Sequence, residues 1–294
     1  MNSEKRITKL KCNPAMDGFS EFFADIPFSK AGKGKLTLTL ALPWSSLGGK
    51  SGAKLPLIVF LQGSGFTSPN KNYQLPLIGA IAAKGFAVAT ITHRNCHDYT
   101  PGEDFPMYLK DAKCAIRFLR ANADKYGIDP GKLAFWGTSS GGNTALMVAL
   151  TGDDPRYETE EYSGVSDSVC CALDCFGPTD LPVLLSWHGA ESIPEDNTFF
   201  KLTASTEIRS ERLCEISPLL IDTKGRKLPP ILILQGDSDP IVPYSQSIDM
   251  YNKLVAEGHD TEMITVEGAP HEGPFWSGEL VDLALSFIRR KLDI

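Results

Sequence analysis

The feature of this sequence best suited to covalent chemistry is a serine set between glycines, Gly137-Thr138-Ser139-Ser140-Gly141. It follows the apolar run Lys132 to Trp136 and precedes Gly142-Asn143-Thr144-Ala145-Leu146. That order reads as a buried strand, a very tight turn and a helix. A serine on such a turn holds its backbone in a strained conformation and lifts its hydroxyl above the sheet. Its neighbours two residues away must be small, because a Cβ there would collide with the strand or helix that the turn joins. The following helix would point free N–H groups and the positive end of its dipole at the same spot, where an oxyanion would form.

A serine hydroxyl is a poor nucleophile until a base takes its proton, and the usual base is a histidine fixed in one tautomer by a carboxylate. Of the five histidines, only His271 sits late in the chain in a loop after a strand pattern, Gly268-Ala269-Pro270-His271. His93 and His97 follow an earlier strand and read as polar lining or surface. His259, beside the helix-ending Gly258, reads as surface. The acid has two candidates, Asp237 and Asp239, in the loop after the strand Pro230 to Leu234. Either could instead be a turn-forming aspartate capping nearby backbone, and residue type alone leaves the choice between them open.

The elements that must carry these side chains alternate along the chain. Phe22 to Phe28 and Lys35 to Leu42 are two strand patterns, the second alternating leucine or alanine with threonine in the period of a half-buried strand. Leu55 to Leu61 is a continuous apolar run suited to a strand buried on both faces. A helix from Ile78 to Lys84, a strand from Phe86 to Thr92 and an amphipathic helix from Asp104 to Ala123 follow. After the serine come strands at Val169 to Phe176 and Pro230 to Gly236, a helix from Ser245 to Glu257, a strand from Glu262 to Val266 and a closing helix from Leu280 to Leu292. This order predicts an α/β fold with a mostly parallel sheet, helices on both faces and the two first strands as an antiparallel edge. The segment from about 184 to 217 breaks the rhythm. It carries Trp187, Phe199 and Phe200 with no strand to bury them, and is expected to be a short cap insertion in one domain spanning 1–294.

Composition narrows the function classes. The 294 residues are 42% hydrophobic and 22% charged, ordinary for a soluble globular chain. A net charge of −7 argues against nucleic acid or an anionic membrane surface as partner. No run approaches the roughly 18 apolar residues of a membrane span, and the charged start lacks the apolar core of a secretory signal, so a cytoplasmic location is expected. The seven cysteines show no C-x-x-C pair and read as free, mostly buried thiols rather than disulfides or metal ligands.

From about Leu36 onward the chain resembles the α/β-hydrolase superfamily, nearest its carboxylesterase, hormone-sensitive-lipase-like and acetyl/feruloyl-esterase branch, with kinship to prolyl oligopeptidase catalytic domains. The residues that carry the resemblance are Leu61-Gln62-Gly63-Ser64-Gly65-Phe66, where the family has an H-G-G-G-type loop, Tyr126 to Ala134, Gly137 to Gly142, Ser217-Pro218, Gln235-Gly236-x-x-Asp239-Pro240-x-Val242-Pro243 and Gly268-x-x-His271. Gln62, Ser64 and Ser140 depart from the commonest family residues at their positions. The resemblance implies a catalytic triad of Ser139, Asp239 and His271, with Asp237 as a turn residue. It also implies an oxyanion hole from the amides of Ser64, Gly65 and Ser140. Phe66, Trp187 and Phe200 are expected to line the substrate.

The implied activity is cleavage of small-molecule carboxylic esters, short-chain acyl or acetyl/feruloyl sugar esters, through an acyl-enzyme, with no metal and no cofactor. Homodimerisation is left open. Two other readings remain. One is a prolyl-oligopeptidase-like serine peptidase, which the short stretch before Leu55 disfavours because those enzymes carry a large propeller or cap ahead of the catalytic part. The other is a non-catalytic hydrolase-fold binding protein, disfavoured because no triad residue is missing.

Overall fold

The computed structural model describes residues 8–31, 35–47, 53–96, 105–189 and 209–294. Eight strands form one sheet: β1 (Ser20–Ser29), β2 (Leu36–Pro43), β3 (Leu55–Leu61), β4 (Ala87–Ile91), β5 (Ile128–Thr138), β6 (Cys171–Cys175), β7 (Ile231–Gly236) and β8 (Thr261–Val266). Their spatial order is β1-β2-β4-β3-β5-β6-β7-β8. β1 pairs with β2, and β2 with β4, antiparallel; every later pairing is parallel. The sheet is therefore the mostly parallel one expected, with its antiparallel edge at the start of the chain.

The period-two pattern explains why both faces are covered. On β3, Leu57, Val59 and Leu61 face one core while Ile58 and Phe60 face the other, and on β5 Leu133 and Phe135 alternate with Ala134 and Trp136 in the same way. Against the first face pack the helices α3 (Met107–Ala121), α5 (Ser140–Leu150), α6 (Leu181–Trp187) and α8 (Tyr244–Ala256). Against the second pack α2 (Leu75–Ala83) and the closing helix α9 (Gly278–Leu292). Short helices α1 (Trp44–Leu47), α4 (Ala123–Tyr126) and α7 (Arg209–Glu215) complete the described elements. All seven cysteines are free thiols, and Cys96, Cys114, Cys171 and Cys175 are buried.

Element boundaries differ from the sequence reading where local chemistry overrides periodicity. α2 begins at Leu75 because Pro76 suits a first turn that has no amide bond to lose. The long amphipathic helix ends at Ala121, where the Asn122 side-chain amide donates back to the Phe118 carbonyl, and a separate turn, α4, follows. β5 starts at Ile128, ahead of Lys132, with its register against β3 shifted between Leu55 and Leu57. Of the expected cap, α6, α7 and their flanks lie within the described residues; 190–208, with Phe199 and Phe200, lie outside them.

The turn between β5 and α5 is the tightest contact in the fold. A Cβ on Gly137 would stand 1.8 Å from the Gly141 carbonyl oxygen, so β5 and the first turn of α5 fit together only if this position has no side chain. Gly137→Ala is therefore expected to cost about 3 kcal/mol of stability or more, the range of severe overpacking, measured as a fall in the urea unfolding midpoint. A variant as stable as the parent would contradict that account of the turn.

Candidate active site

Ser139 sits in this turn with φ 53° and ψ −123°, a left-handed conformation rare for a residue with a side chain. Its amide donates to the Cys175 carbonyl at the end of β6 (2.9 Å), and its own carbonyl accepts from the Asn143 amide (3.0 Å). β5 and β6 thus hold one side of the Ser139 turn and α5 the other. The Ser139 Oγ lies 2.9 Å from His271 Nε2, and His271 Nδ1 lies 2.7 Å from Asp239 Oδ2. Because Asp239 can only accept, Nδ1 carries the proton and Nε2 is left to accept from the serine hydroxyl.

Asp239 is held from all sides. Its Oδ1 accepts from the amides of Ile241 (2.8 Å) and Val242 (3.0 Å), and its Oδ2 accepts from Gln235 Nε2 (2.9 Å) as well as from His271. Gln235 is itself fixed by Ser247 Oγ on its oxygen and by the Val242 carbonyl on its nitrogen. Burial pushes the Asp239 carboxyl up, but the hydrogen bond and charge of His271, with the two amides, outweigh it, and the net pKa lies below the ordinary carboxylate value. Asp237 serves the backbone instead. It is exposed, and its Oδ1 accepts from the Gly268 amide at 2.6 Å, pinning the loop that carries His271.

The loop after β3 lies directly against the Ser139 turn. The Gly63 amide donates to Thr138 Oγ1 and the Ser64 amide to Ser140 Oγ, both at 2.9 Å. The Ser64 amide, expected to stand open as an oxyanion donor, is therefore engaged by the neighbouring hydroxyl, because that side chain reaches it first. The amides of Gly65 and Ser140 have no acceptor among the described residues. Phe66 also departs from expectation. It is 1% exposed and packs in the core against Tyr108 (ring centroids 4.9 Å apart), because the left-handed turn at Gly65 and Phe66 carries its ring inward. Trp187 ends α6, half exposed and edge-on to His188 (4.6 Å). Phe200 and His97 lie outside the described residues. His93 is buried, which holds its pKa below the ordinary histidine value. The His259 side chain, read as surface, is packed beside Glu257.

With this geometry established, the chain can be set beside known proteins. Residues 47–254 match the BD-FAE family, most of the chain. The chain belongs to the BD-FAE family. That is a hormone-sensitive-lipase-like α/β-hydrolase family, as the sequence resemblance implied. Among curated relatives, the BD-FAE chain is similar to Esterase LipC of Mycobacterium tuberculosis, 27% identical over 208 residues that cover 68% of this chain and 48% of that one. It spans about half the length of the curated relatives it matches. Among solved structures it is similar to a truncated carbohydrate esterase from gut microbiota, with a TM-score of 0.77 and 26% identity over 96% of this chain and 99% of that one. It is also similar to the bifunctional GH43-CE protein of Bacteroides eggerthii, with a TM-score of 0.76 and 27% identity over 92% of this chain and 38% of that one.

Several residues of this BD-FAE chain that touch the site carry no signal in the sequence. Gln235 is visible there only as the residue before a glycine, and nothing announces its bond to Asp239. Phe176 has φ 45° and lays its ring 4.6 Å from that of His271. Asp174, paired in register with Gly137 across β5 and β6, closes the turn that bears Phe176 by accepting from the Gly177 amide at 2.8 Å. Asp174 is fully buried, its Oδ2 has no partner among the described residues, and burial pushes its pKa up to about 7, only partly offset by the Gly177 bond. Glu272 follows His271; burial raises its pKa, opposed by the hydrogen bond from Trp276 Nε1 (2.8 Å) and by His271. Among the described residues no cluster of histidine, cysteine or carboxylate could hold a metal, and no described helix is long and apolar enough to cross a membrane.

Two measurements follow from these carboxylates. Asp239→Asn is expected to lower kcat by orders of magnitude, since a neutral amide favours the wrong histidine tautomer and cannot stabilise the imidazolium. Asp237→Asn is expected to lower it far less, because an amide oxygen still accepts from Gly268; the reverse order of effects would contradict the assignment. For Asp174 the sign is set by a raised pKa. From its ordinary 3.8 to about 7 in the fold, the unfolded chain ionises while the folded one stays protonated, so stability falls across that window and levels off above it. Asp174→Asn removes this slope. Its unfolding free energy relative to the parent is expected to improve on going from pH 5 to pH 8, read from urea midpoints. A constant difference would show that Asp174 does not titrate in the fold.

Proposed function

We propose that this chain is a serine esterase that cleaves carboxylic esters through an acyl-enzyme on Ser139. The observation that carries the reading is the unbroken hydrogen-bonded line Ser139 Oγ to His271 to Asp239, built on a left-handed turn at the N-terminus of α5. His271 Nε2 accepts the Ser139 proton as the oxygen attacks the ester carbonyl, and Asp239 stabilises the imidazolium. The tetrahedral oxyanion is met by the amides of Gly65 and Ser140 and by the α5 dipole; each such donor is worth on the order of 10²–10³ in rate. Collapse of the intermediate expels the alcohol, which takes the proton from His271. Water then attacks the acyl-enzyme by the same path, releases the acid and restores the serine.

The substrate class proposed is a short-chain acyl ester or an acetyl or feruloyl ester of a sugar. The likeness to the gut carbohydrate esterase supports the sugar ester, and the esterase named among the curated relatives supports the ester bond. In the same reading the segment from 184 to 217, with Trp187 at the end of α6, bears on which acyl group or alcohol fits, and leaves the chemistry alone.

A panel of p-nitrophenyl acyl esters, acetylated oligosaccharides and a peptide amide tests the proposal. Acetate to butyrate esters are expected to turn over and the peptide amide is not. A fluorophosphonate probe is expected to label Ser139. Ser139→Ala is expected to lose all but a few per cent of kcat with its fold intact, because the turn depends on the glycines rather than on the hydroxyl. Substantial turnover by that variant, free of host esterase, or preferential cleavage of the amide, would refute the reading.

A further inference from the structure

The loop that must hold the oxyanion donors follows β3 and has no strand partner beyond Leu61. Something else has to fix its height over Ser139. Two loop amides, those of Gly63 and Ser64, donate to Thr138 Oγ1 and Ser140 Oγ, the hydroxyls immediately before and after Ser139, each at 2.9 Å. Thr138 is fully buried and Ser140 nearly so, so both acceptors are held within the fold while the two loop amides are half-buried. The approach is as close as it can be: a Cβ on Gly63 would stand 2.5 Å from Ser139 Cβ and 2.8 Å from the Thr138 carbonyl oxygen.

Beyond the two bonded amides the loop is closed on itself and on the core. Ser64 Oγ donates to the Thr67 carbonyl, and the Thr67 amide and hydroxyl return to the Ser64 carbonyl. The Cys96 amide donates to the Phe66 carbonyl at 3.1 Å, and the Phe66 ring is buried against Tyr108. Gly65, with φ 58°, is the residue between these two anchorages. Its amide direction is set by the bonds at 63 and 64 on one side and by the burial of Phe66 on the other.

We propose that the hydroxyls of Thr138 and Ser140 are positioning residues that clamp the loop after β3 to the nucleophile turn, and so aim the Gly65 amide at the oxyanion. The inference rests on the esterase reading above and gives the residues flanking Ser139 a role that no motif expresses. Neither hydroxyl touches the reacting atoms in this account. Each acts by satisfying one loop amide at a fixed distance from the serine, and the Ser64 amide serves the clamp rather than the hole. The bonds do not change through the reaction, but a loop that drifts loses its match to an oxyanion that exists only in the transition state. Removing a clamp hydroxyl therefore reduces kcat and leaves ester binding nearly unchanged.

The test is kinetic, on an ester the parent turns over well. Ser140→Ala and Thr138→Val are each expected to lower kcat about ten- to a hundredfold, less than loss of an oxyanion donor itself, with KM within about threefold and a thermal midpoint lowered by a few degrees, the cost of leaving a loop amide without its acceptor. Thr138→Ser, which keeps the hydroxyl, is expected to retain kcat within about threefold. The affinity for a trifluoromethyl ketone, which mimics the tetrahedral adduct, is expected to fall in step with kcat/KM. The double variant is expected to lose less than the product of the single losses, because both hydroxyls hold one loop. Full kcat in folded Ser140→Ala, or equal loss in Thr138→Val and Thr138→Ser, would overturn the clamp; if the valine variant does not fold, Ser140→Ala decides alone. A parent with no ester turnover would instead sink the functional reading, so the two failures are distinguishable.

Discussion

The site depends on one crowded crossing, where β5 turns into α5 at a residue whose backbone is left-handed. At φ 53° Ser139 is strained, and strain of this kind persists only where the surroundings over-determine it. Here they do so three times. The end of β6 takes the serine amide, α5 returns an amide to its carbonyl, and glycines at 137 and 63 let backbone approach where a side chain would collide. None of these contacts involves the reactive oxygen. The hydroxyl is left to His271 Nε2 alone among the described residues.

The sheet topology makes the rest of the constellation converge on that crossing. β5 is central, with β3 on one side and β6 on the other, and every strand from β4 to β8 runs parallel. Loops leaving the same ends of parallel strands gather at one edge. The loop after β3 arrives beside Ser139 from one side, while those after β7 and β8 bring Asp239 and His271 from the other. Chain order alone, serine then acid then histidine, would permit many separations; parallel register reduces them to the 2.7 and 2.9 Å links observed.

What was legible in the sequence was whatever repeats or punctuates. Apolar runs, alternating on β2 and continuous on β3, located the strands, and the glycines around Ser139 marked the turn, because both are consequences of backbone geometry. Less legible were contacts between residues far apart in the chain. The amide bonds that Thr138 and Ser140 accept from the loop after β3 have no sequence period, and a hydroxyl beside a nucleophile looks like any serine or threonine. Phe66 misled for a related reason. Its position in the family-like loop suggested the substrate, but two successive left-handed residues rotate its ring into the core. The bond of Asp174 to Gly177 likewise becomes visible only when the turn at Phe176 is formed.

The two aspartates after β7 show how a site can need both members of an ambiguous pair. Asp239 is buried and faces His271; Asp237, two residues earlier in the same loop, is exposed and takes the Gly268 amide. The Ser238 amide between them donates to the Ala269 carbonyl, so the loop after β7 and the loop after β8 are laced together before His271 is reached. The histidine then leaves this seam with its position largely set. The carboxylate of Asp239 fixes one ring nitrogen, and the Phe176 ring covers one side at 4.6 Å. The Glu272–Trp276 bond closes the chain beyond. A late loop with no regular secondary structure thus becomes as well determined as a strand. Its backbone is tied on one flank by one aspartate, and its side chain is oriented by the other.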